Sequence, residues 1–433
     1  MGMLSLRNRE CLQLFRQFLR EFEVAVHSEC SIDEHYRRKF INDDNFAGLP
    51  RPSRWVGFAK KNPLMLFIVF QLGKLFWFLG GGVAYYFFQM SFYFSRSLFM
   101  PYRILEDQID TEFALGFSRR AMDVIGDCSI GRKPDCWILF PWVRKKVHAE
   151  SQRVVEILSM VKFTDFITAF SLSIWALYTV GLARAGGGMG GRILQTYMAF
   201  QWFLARVALN KLNAKFFIVA EHHDRWAVLA DYLVKSKLSC GASLVIVQHG
   251  VESNLKAAHR LRNLSRLYVY DEESLRVFER NIIDMRVVGN KLNVCFYMPR
   301  ISLRVLDAYK FPHKISVLVV GHPSEEPLHV SIYERLLKGR DVNVIYKPHP
   351  TVRESKEIRK LGWVVWKNKD EFPLVDILIS YPSTLVEEYR AVGVDAIVHP
   401  YAIRVGDATN YFSSLSAVIE NLLTKADGKI KND

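Results

Sequence analysis

The spacing of apolar and polar positions changes period twice along the chain. Over residues 6–26, Leu12, Phe15, Leu19 and Phe22 recur three and four apart, with Arg7, Arg9, Arg16 and Arg20 beside them. Side chains at that spacing share one face, so the pattern predicts an amphipathic helix that covers either the protein's own core or a lipid surface. Residues 64–94, LMLFIVFQLGKLFWFLGGGVAYYFFQMSFYF, carry a single charge, Lys74. A bilayer crossing needs roughly 20 apolar residues, so length permits one. Gly80, Gly81 and Gly82 nevertheless divide the run, and Lys60, Lys61, Arg96 and Arg103 place positive charge at both ends. Symmetrical basic flanks suit a hairpin or in-plane helix pair better than one crossing, and the dense Phe, Tyr and Trp content matches an interfacial belt. The uncharged stretch 167–183 is shorter and predicts a core helix. The glycine-rich segment 186–191 lies in neither a strand–GxGxxG–helix nor a P-loop context and predicts a flexible connection.

Beyond residue 210 the period shortens. β-Branched or aromatic runs at 216–220, 244–248, 267–270, 315–320, 342–346, 363–366, 377–380 and 396–399 alternate with helical stretches, and 137–140 is an earlier run of the same kind. Such alternation predicts an α/β chain with doubly wound parallel sheets. Gly289, Asn290, Pro299 and Pro312 interrupt it, which places the passage between two α/β domains there. The expected organisation is a helical, aromatic-rich N-terminal region over 1–110 with a candidate membrane hairpin at 64–94, then Rossmann-like domains over 111–295 and 296–433.

The chain has 433 residues, half apolar and a quarter charged, which excludes a disordered or collagen-like class and suits two domains. Its net charge of +14 favours phosphate-rich partners such as nucleotides or anionic lipid. The basic residues are scattered and no recognition motif accompanies them, so nucleic acid is not an expected partner. The six cysteines, Cys11, Cys30, Cys128, Cys136, Cys240 and Cys295, form no CxxC pair and no Cys/His cluster, so neither a disulfide scaffold nor a structural metal is expected, and a reducing compartment is the default. The opening MGMLSLRNRE lacks an apolar core and a cleavage site, so no removable secretion signal is expected and the mature chain is expected to start there.

Ligands of doubly wound sheets bind at the carboxyl ends of the strands, so the candidate chemistry follows each run. Glu221, His222, His223 and Asp224 follow 216–220, and His249 and Gly250 follow 244–248. Gly321 and His322 follow 315–320, while Lys347, Pro348 and His349 follow 342–346. Tyr381, Pro382, Ser383, Thr384 and Glu387 follow 377–380. Singly, each has a plain structural account: a histidine caps or packs, Asp224 caps the helix after it, and Thr384 with Glu387 makes a capping box. Jointly, acid–base groups in the first domain and phosphate-binding donors in the second suit group transfer from a phosphate-activated donor.

The runs VIVQHG (245–250), VIYKPHP (344–350) and ISYPSTLVEEYRAVG (379–393) resemble the signature of bacterial GT-B glycosyltransferases that build surface polysaccharides. That group includes capsule sialyl- and polysialyltransferases, Kdo (3-deoxy-manno-octulosonic acid) transferases of capsule and lipopolysaccharide assembly, and CDP-glycerol glycerophosphotransferases of teichoic acid synthesis. The resemblance covers residues 214–400. It implies a GT-B fold of two facing Rossmann-like domains and an inverting, metal-independent transfer of a sugar, Kdo or sialic acid, from a CMP-linked nucleotide-sugar donor. The acceptor would be a glycan or glycolipid at the cytoplasmic face of the bacterial inner membrane, with the enzyme peripheral or monotopic and no cofactor.

By the same resemblance His349 contacts the nucleotide phosphate and assists its departure, and Ser383 and Thr384 donate to phosphate oxygens. Glu387 is a candidate for the ribose hydroxyls, Gly321 lets the nucleotide approach the backbone, and Lys347 offsets phosphate charge. In the sialyltransferases an acidic residue after a first-domain strand deprotonates the acceptor. Glu221 holds that place, with Asp224 as the alternative, although His222 and His223 stand where the family carries an acidic residue and glycine. In the glycerophosphotransferases the histidine of the HG motif is the base, here His249. CDP-polyol phosphotransfer is thus the second enzymatic expectation, and a non-catalytic assembly scaffold a third. The DxD-like candidate, Asp107 to Asp110, has the wrong spacing for a metal site, and none is expected.

Overall fold

The computed structural model describes residues 2–103, 111–128, 134–143, 153–183, 191–250, 255–297, 303–304, 315–322, 325–348, 354–368, 371–399, 412–413, 415–421 and 424. The chain forms two compact units, 1–52 with 62–297, and 53–61 with 298–433. In chain order it begins with α1 (Gly2–Phe40), α2 (Val56–Lys61), α3 (Pro63–Phe76) and α4 (Gly82–Ser97). There follow β1 (Glu112–Gly116), α5 (Arg119–Asp127), β2 (Cys136–Leu139), β3 (Arg153–Glu156), α6 (Phe163–Thr179) and α7 (Ala199–Leu209). Next come β4 (Phe216–Val219), α8 (Arg225–Lys235), β5 (Ser243–Val247), β6 (Leu264–Val269), α9 (Glu272–Asn281), α10 (Met285–Val288) and β7 (Asn293–Phe296). The rest comprises β8 (Leu303–Arg304), β9 (Ile315–Val320), α11 (Glu326–Ile332), β10 (Val342–Lys347), α12 (Lys356–Lys360), β11 (Val364–Val365), β12 (Phe372–Pro373), β13 (Ile377–Ser380), α13 (Thr384–Ala391) and β14 (Asp395–Val398).

The first unit holds a seven-stranded parallel sheet in the order β3-β2-β1-β4-β5-β6-β7. Its central strands are buried on both faces: Phe217, Val219, Leu244 and Ile246 enter one core, while Ile218, Ala220, Val245 and Val247 enter the other. That is why they read as continuous apolar runs. The second unit holds a five-stranded parallel sheet in the order β11-β10-β9-β13-β14, and β8 pairs with β12. Chain order reverses between β1 and β4 in the first sheet and between β9 and β13 in the second. Strands diverge in connection at such a point and leave a crevice beyond their carboxyl ends.

The stripe of α1 enters the protein core in part: Phe22 is buried with Phe18, Ala25 and Val26, Phe15 and Leu19 pack partly against that core, Leu12 stays exposed, and the Phe22 ring lies 5.3 Å from Trp202 and 4.9 Å from Phe203 of α7. Glu21 on the same face meets Arg206 of α7 at 2.7 Å, both side chains being buried. The glycine triplet does divide the apolar run. Gly80 adopts φ 126°, a region that a side chain disfavours, and a five-residue wide turn, Trp77–Gly81, joins α3 to α4. The stretch Pro63–Ser97 is long and apolar enough to cross a membrane. α4 nevertheless buries Gly82, Tyr86, Gln89 and Tyr93, and α6 buries Phe166, Ala169, Leu172 and Ala176 as a core helix should. Asp107 to Asp110, and all of the glycine-rich segment except Gly191, lie outside the described residues.

Candidate functional site

In the first unit the acid–base candidates gather where β4 and β5 end, beside the point of strand reversal. The Glu221 carboxyl is buried. Its Oε1 accepts from Ser118 Oγ at 3.1 Å, a contact that links the ends of β1 and β4, and its Oε2 has no hydrogen-bond partner among the described residues. Burial, and then the charge of Asp224, push this carboxyl up to about 8. Asp224 Oδ1 accepts from the N–H groups of Trp226 (2.9 Å) and Ala227 (3.1 Å) and so caps α8. Burial, and then Glu29, raise it to about 6.

Two histidines converge on one carbonyl. His222 Nδ1 lies 3.0 Å and His249 Nδ1 2.6 Å from Ala220 O, with the two rings 5.1 Å apart. A carbonyl only accepts, so both Nδ1 atoms carry hydrogen, and in its neutral form each ring would hold its lone pair on Nε2. Gln248 sets the turn: its Nε2 donates to Gly250 O (2.7 Å) and Ser274 Oγ (3.2 Å), and its Oε1 accepts from Tyr270 N (3.0 Å). Tyr297 Oη also donates to Gln248 O. Buried polar groups require such partners, so the Gln-His-Gly run is held on both sides of His249.

Sequence reasoning missed two parts of this site. Ser118 caps α5 just after β1, whose EFALG stretch carries little β signal. The other part is a four-ring stack from three separate segments: Phe117 and Phe140 are 4.5 Å apart, Phe117 and Trp226 4.9 Å, and Trp142 lies 5.0 Å from both Phe140 and Trp226. Trp142 Nε1 donates to Phe117 O at 3.0 Å, and its ring is half-buried while the other three are buried. The stack flanks Ser118 on one segment and Asp224 on another. Only the aromatic residues after two strand runs could have signalled it.

In the second unit Gly321 and Ser383 lie just beyond β9 and β13, at the reversal of strand order. A Cβ at Gly321 would stand 2.2 Å from Tyr346 Oη, so the Tyr346 ring fills the space a side chain would need. Gly321→Ala is expected to destabilise the unit by about 1–3 kcal/mol through overpacking, read as a lower melting midpoint; an unchanged midpoint would refute the contact. Lys347 Nζ donates to Asn368 O (2.7 Å) and Glu371 O (2.8 Å) and lies 4.4 Å from the centre of the Phe372 ring. The cap of α13 is Ser383, and its side chain makes no capping bond; Ser383 Oγ instead lies 3.3 Å from Ser380 Oγ. The N-cap position falls on Ser383 and not on Thr384, which is already the first helical residue, and Glu387 pairs with Arg390 at 3.0 Å. The side chain of Thr384 and all of His349 lie outside the described residues. His329 Nε2 and His399 Nε2 are 3.0 Å apart, one ring donating to the other, and burial, then His399, hold His329 well below its usual range. No group of three or more His, Cys, Asp or Glu side chains suited to a metal occurs among the described residues.

The chain matches no known family model and no curated protein. Among solved structures it is similar to a crystal structure of a GtfA/B complex, at 9% identity and a TM-score of 0.33, over 53% of this chain and 56% of that one. The chain thus spans little more than half of that structure's length, and the likeness assigns no family. Fold and site define an α/β protein whose seven- and five-stranded parallel sheets each have polar residues beyond their strand ends.

Proposed function

We propose that the chain is an inverting glycosyltransferase of GT-B type that moves a sugar, Kdo or sialic acid, from a CMP-linked donor to a glycan or lipid-linked acceptor of bacterial surface polysaccharide, at the cytoplasmic face of the membrane. The observation that carries this is the Glu221 carboxyl: buried beside the strand reversal, held through one oxygen by Ser118, with the other oxygen unpartnered among the described residues and an affinity for protons raised to about 8. A carboxylate of that basicity suits removal of the acceptor hydroxyl's proton. The acceptor oxygen attacks the anomeric carbon, the bond from that carbon to the phosphate oxygen breaks, and the nucleotide leaves with the electron pair. His349, Ser383, Thr384 and the N–H groups that open α13 would stabilise that leaving phosphate, and no metal is required.

His249 supports a second reading. Its lone pair on Nε2 suits a base for CDP-polyol phosphotransfer, in which the acceptor attacks phosphorus and CMP leaves. A panel of CMP-, UDP-, GDP- and CDP-activated donors separates the two: a sugar donor releases nucleotide with a glycosidic product, whereas CDP-glycerol yields CMP and a phosphodiester. His349→Ala is expected to lower kcat about 10²-fold with the best donor. No binding and no release with any donor would refute both readings.

A further inference from the structure

We propose that the joined face of α3, α4 and α6 docks in the plane of an anionic phospholipid surface and does not cross it. The side chains that α3 and the following turn leave in solvent are apolar and large: Leu64 is 71% exposed, Leu72 59%, Phe76 66% and Leu79 71%. α4 adds Phe87 and Phe88, and α6 adds Phe163 and Trp175, each more than half exposed. Ring pairs join the turn after α3, and α4, to α6: Phe78 with Tyr178 at 6.3 Å, Phe87 with Phe170 at 6.3 Å, and Phe94 with Phe163 at 5.1 Å; α3 runs directly into that turn. A contiguous apolar surface of this kind in water calls for a partner.

Charge selects the partner. Neither α3 nor α4 carries a carboxylate, and their charges are the cations Lys74 and Arg96, the latter also 3.9 Å from Glu156 and donating to Pro141 O at 3.0 Å. Lys74 Nζ lies 4.1 Å from the centre of the Phe70 ring, and Arg96 Cζ lies 5.9 Å from that of the exposed Phe92. Beyond α4, Lys162 Nζ lies 5.6 Å from the centre of the exposed Tyr102 ring. The one carboxylate on α6, Asp165, is paired with Lys211 at 2.5 Å. Large apolar and aromatic side chains beside cations, with no carboxylate on α3 or α4, match acyl chains beneath anionic headgroups.

The opposite faces exclude a crossing. Tyr86 Oη donates to Thr196 O at 2.8 Å, Trp77 Nε1 to Thr196 Oγ1 at 3.0 Å, and Gln201 Nε2 to Tyr93 Oη at 2.7 Å. A helix surrounded by lipid would have to break all three and leave the unit's core, whereas a helix lying in the surface keeps them. The bend at Gly80 lets α3 and α4 present their apolar sides without straightening into one rod.

The test uses the full chain with vesicles of phosphatidylcholine alone or with one third phosphatidylglycerol. Cosedimentation is expected to be at least tenfold stronger with the anionic vesicles and to weaken in high salt. Bromines high on the acyl chains should quench tryptophan emission more than bromines near the chain ends, and Trp175→Phe should remove most of that quenching. Leu72→Asp with Leu79→Asp alters exposed positions outside the ring pairs of the seam, so the melting midpoint should hold while vesicle binding falls at least tenfold. Four results would overturn the proposal: no vesicle binding, binding indifferent to the double variant, stronger quenching by the deep bromines, or a soluble homodimer that the double variant dissociates. None of these readouts requires turnover, so the docking face stands or falls separately from the proposed reaction.

Discussion

Glu221→Gln is expected to lower kcat by about 10³-fold while leaving donor binding intact, because general-base catalysis of this kind contributes roughly 10²- to 10⁴-fold. Gln preserves the volume and can still accept from Ser118 Oγ, so the change isolates the proton acceptor from the packing. The wild-type rate should rise with pH and level off above about 8, as the buried carboxyl ionises, and the variant should lose that limb. Stability must move the other way. The folded carboxyl holds its proton up to about 8 while the unfolded chain releases it near 4.5, so between those values the folded state binds more protons. Glu221 therefore contributes stability that is fully present below about 4.5 and is lost as pH rises toward about 8. The Gln variant should melt higher than wild type at pH 8 and show a flatter dependence of midpoint on pH. A variant with wild-type turnover, or one whose melting tracks wild type across this range, would remove Glu221 from the mechanism and pass the role to His249 Nε2.

The second large effect concerns the helix that opens the chain. Arg206→Met should cost about 3–5 kcal/mol, since it leaves the Glu21 carboxylate buried without its cation. Arg206 also donates to Asn210 Oδ1 at 3.1 Å, and its Cζ lies 4.5 Å from the centre of the Phe18 ring, so part of the loss comes from packing against α1. Pairing it with Glu21→Leu should restore most of the stability, because replacing both members of a buried pair by apolar groups is often near neutral. Urea denaturation of the single and double variants measures the coupling. Single variants within 1 kcal/mol of wild type would mean that α1 is peripheral to the core it enters in this structure.

Both results turn on contacts between residues far apart in sequence, and this marks what could be read in advance. The strands at 315–320 and 377–380 emerge at their expected bounds because each is a β-branched run buried on both faces. The break in the aromatic run at the glycine triplet was equally plain, since Gly80 has no side chain to resist a positive φ. By contrast, β1, β3 and β7 escaped notice. EFALG carries Ala, Leu and Gly in place of β formers and becomes a central strand only because β2 and β4 pair on either side of it. RVVE and NVCF are edge strands with one paired side and a weak apolar signal.

The candidate site divides in the same way. That polar groups follow the strands was legible; which contacts each of them makes was not. Lys347 and Lys237 are both lysines close after an apolar stretch, yet the first ties down a loop near a strand end and the second donates to Asn210 O at 2.9 Å, beside the strands' other ends. Local periodicity records whether a residue is buried within its own element, so the sequence by itself determined the parallel α/β class, the strand ends that bear polar residues and the paired aromatic helices. Strand order, the Ser118–Glu221 contact across 103 residues, and the choice of α1's stripe for the core were decided only in three dimensions. Those features depend on which distant groups desolvate one another, and no spacing along a chain encodes that.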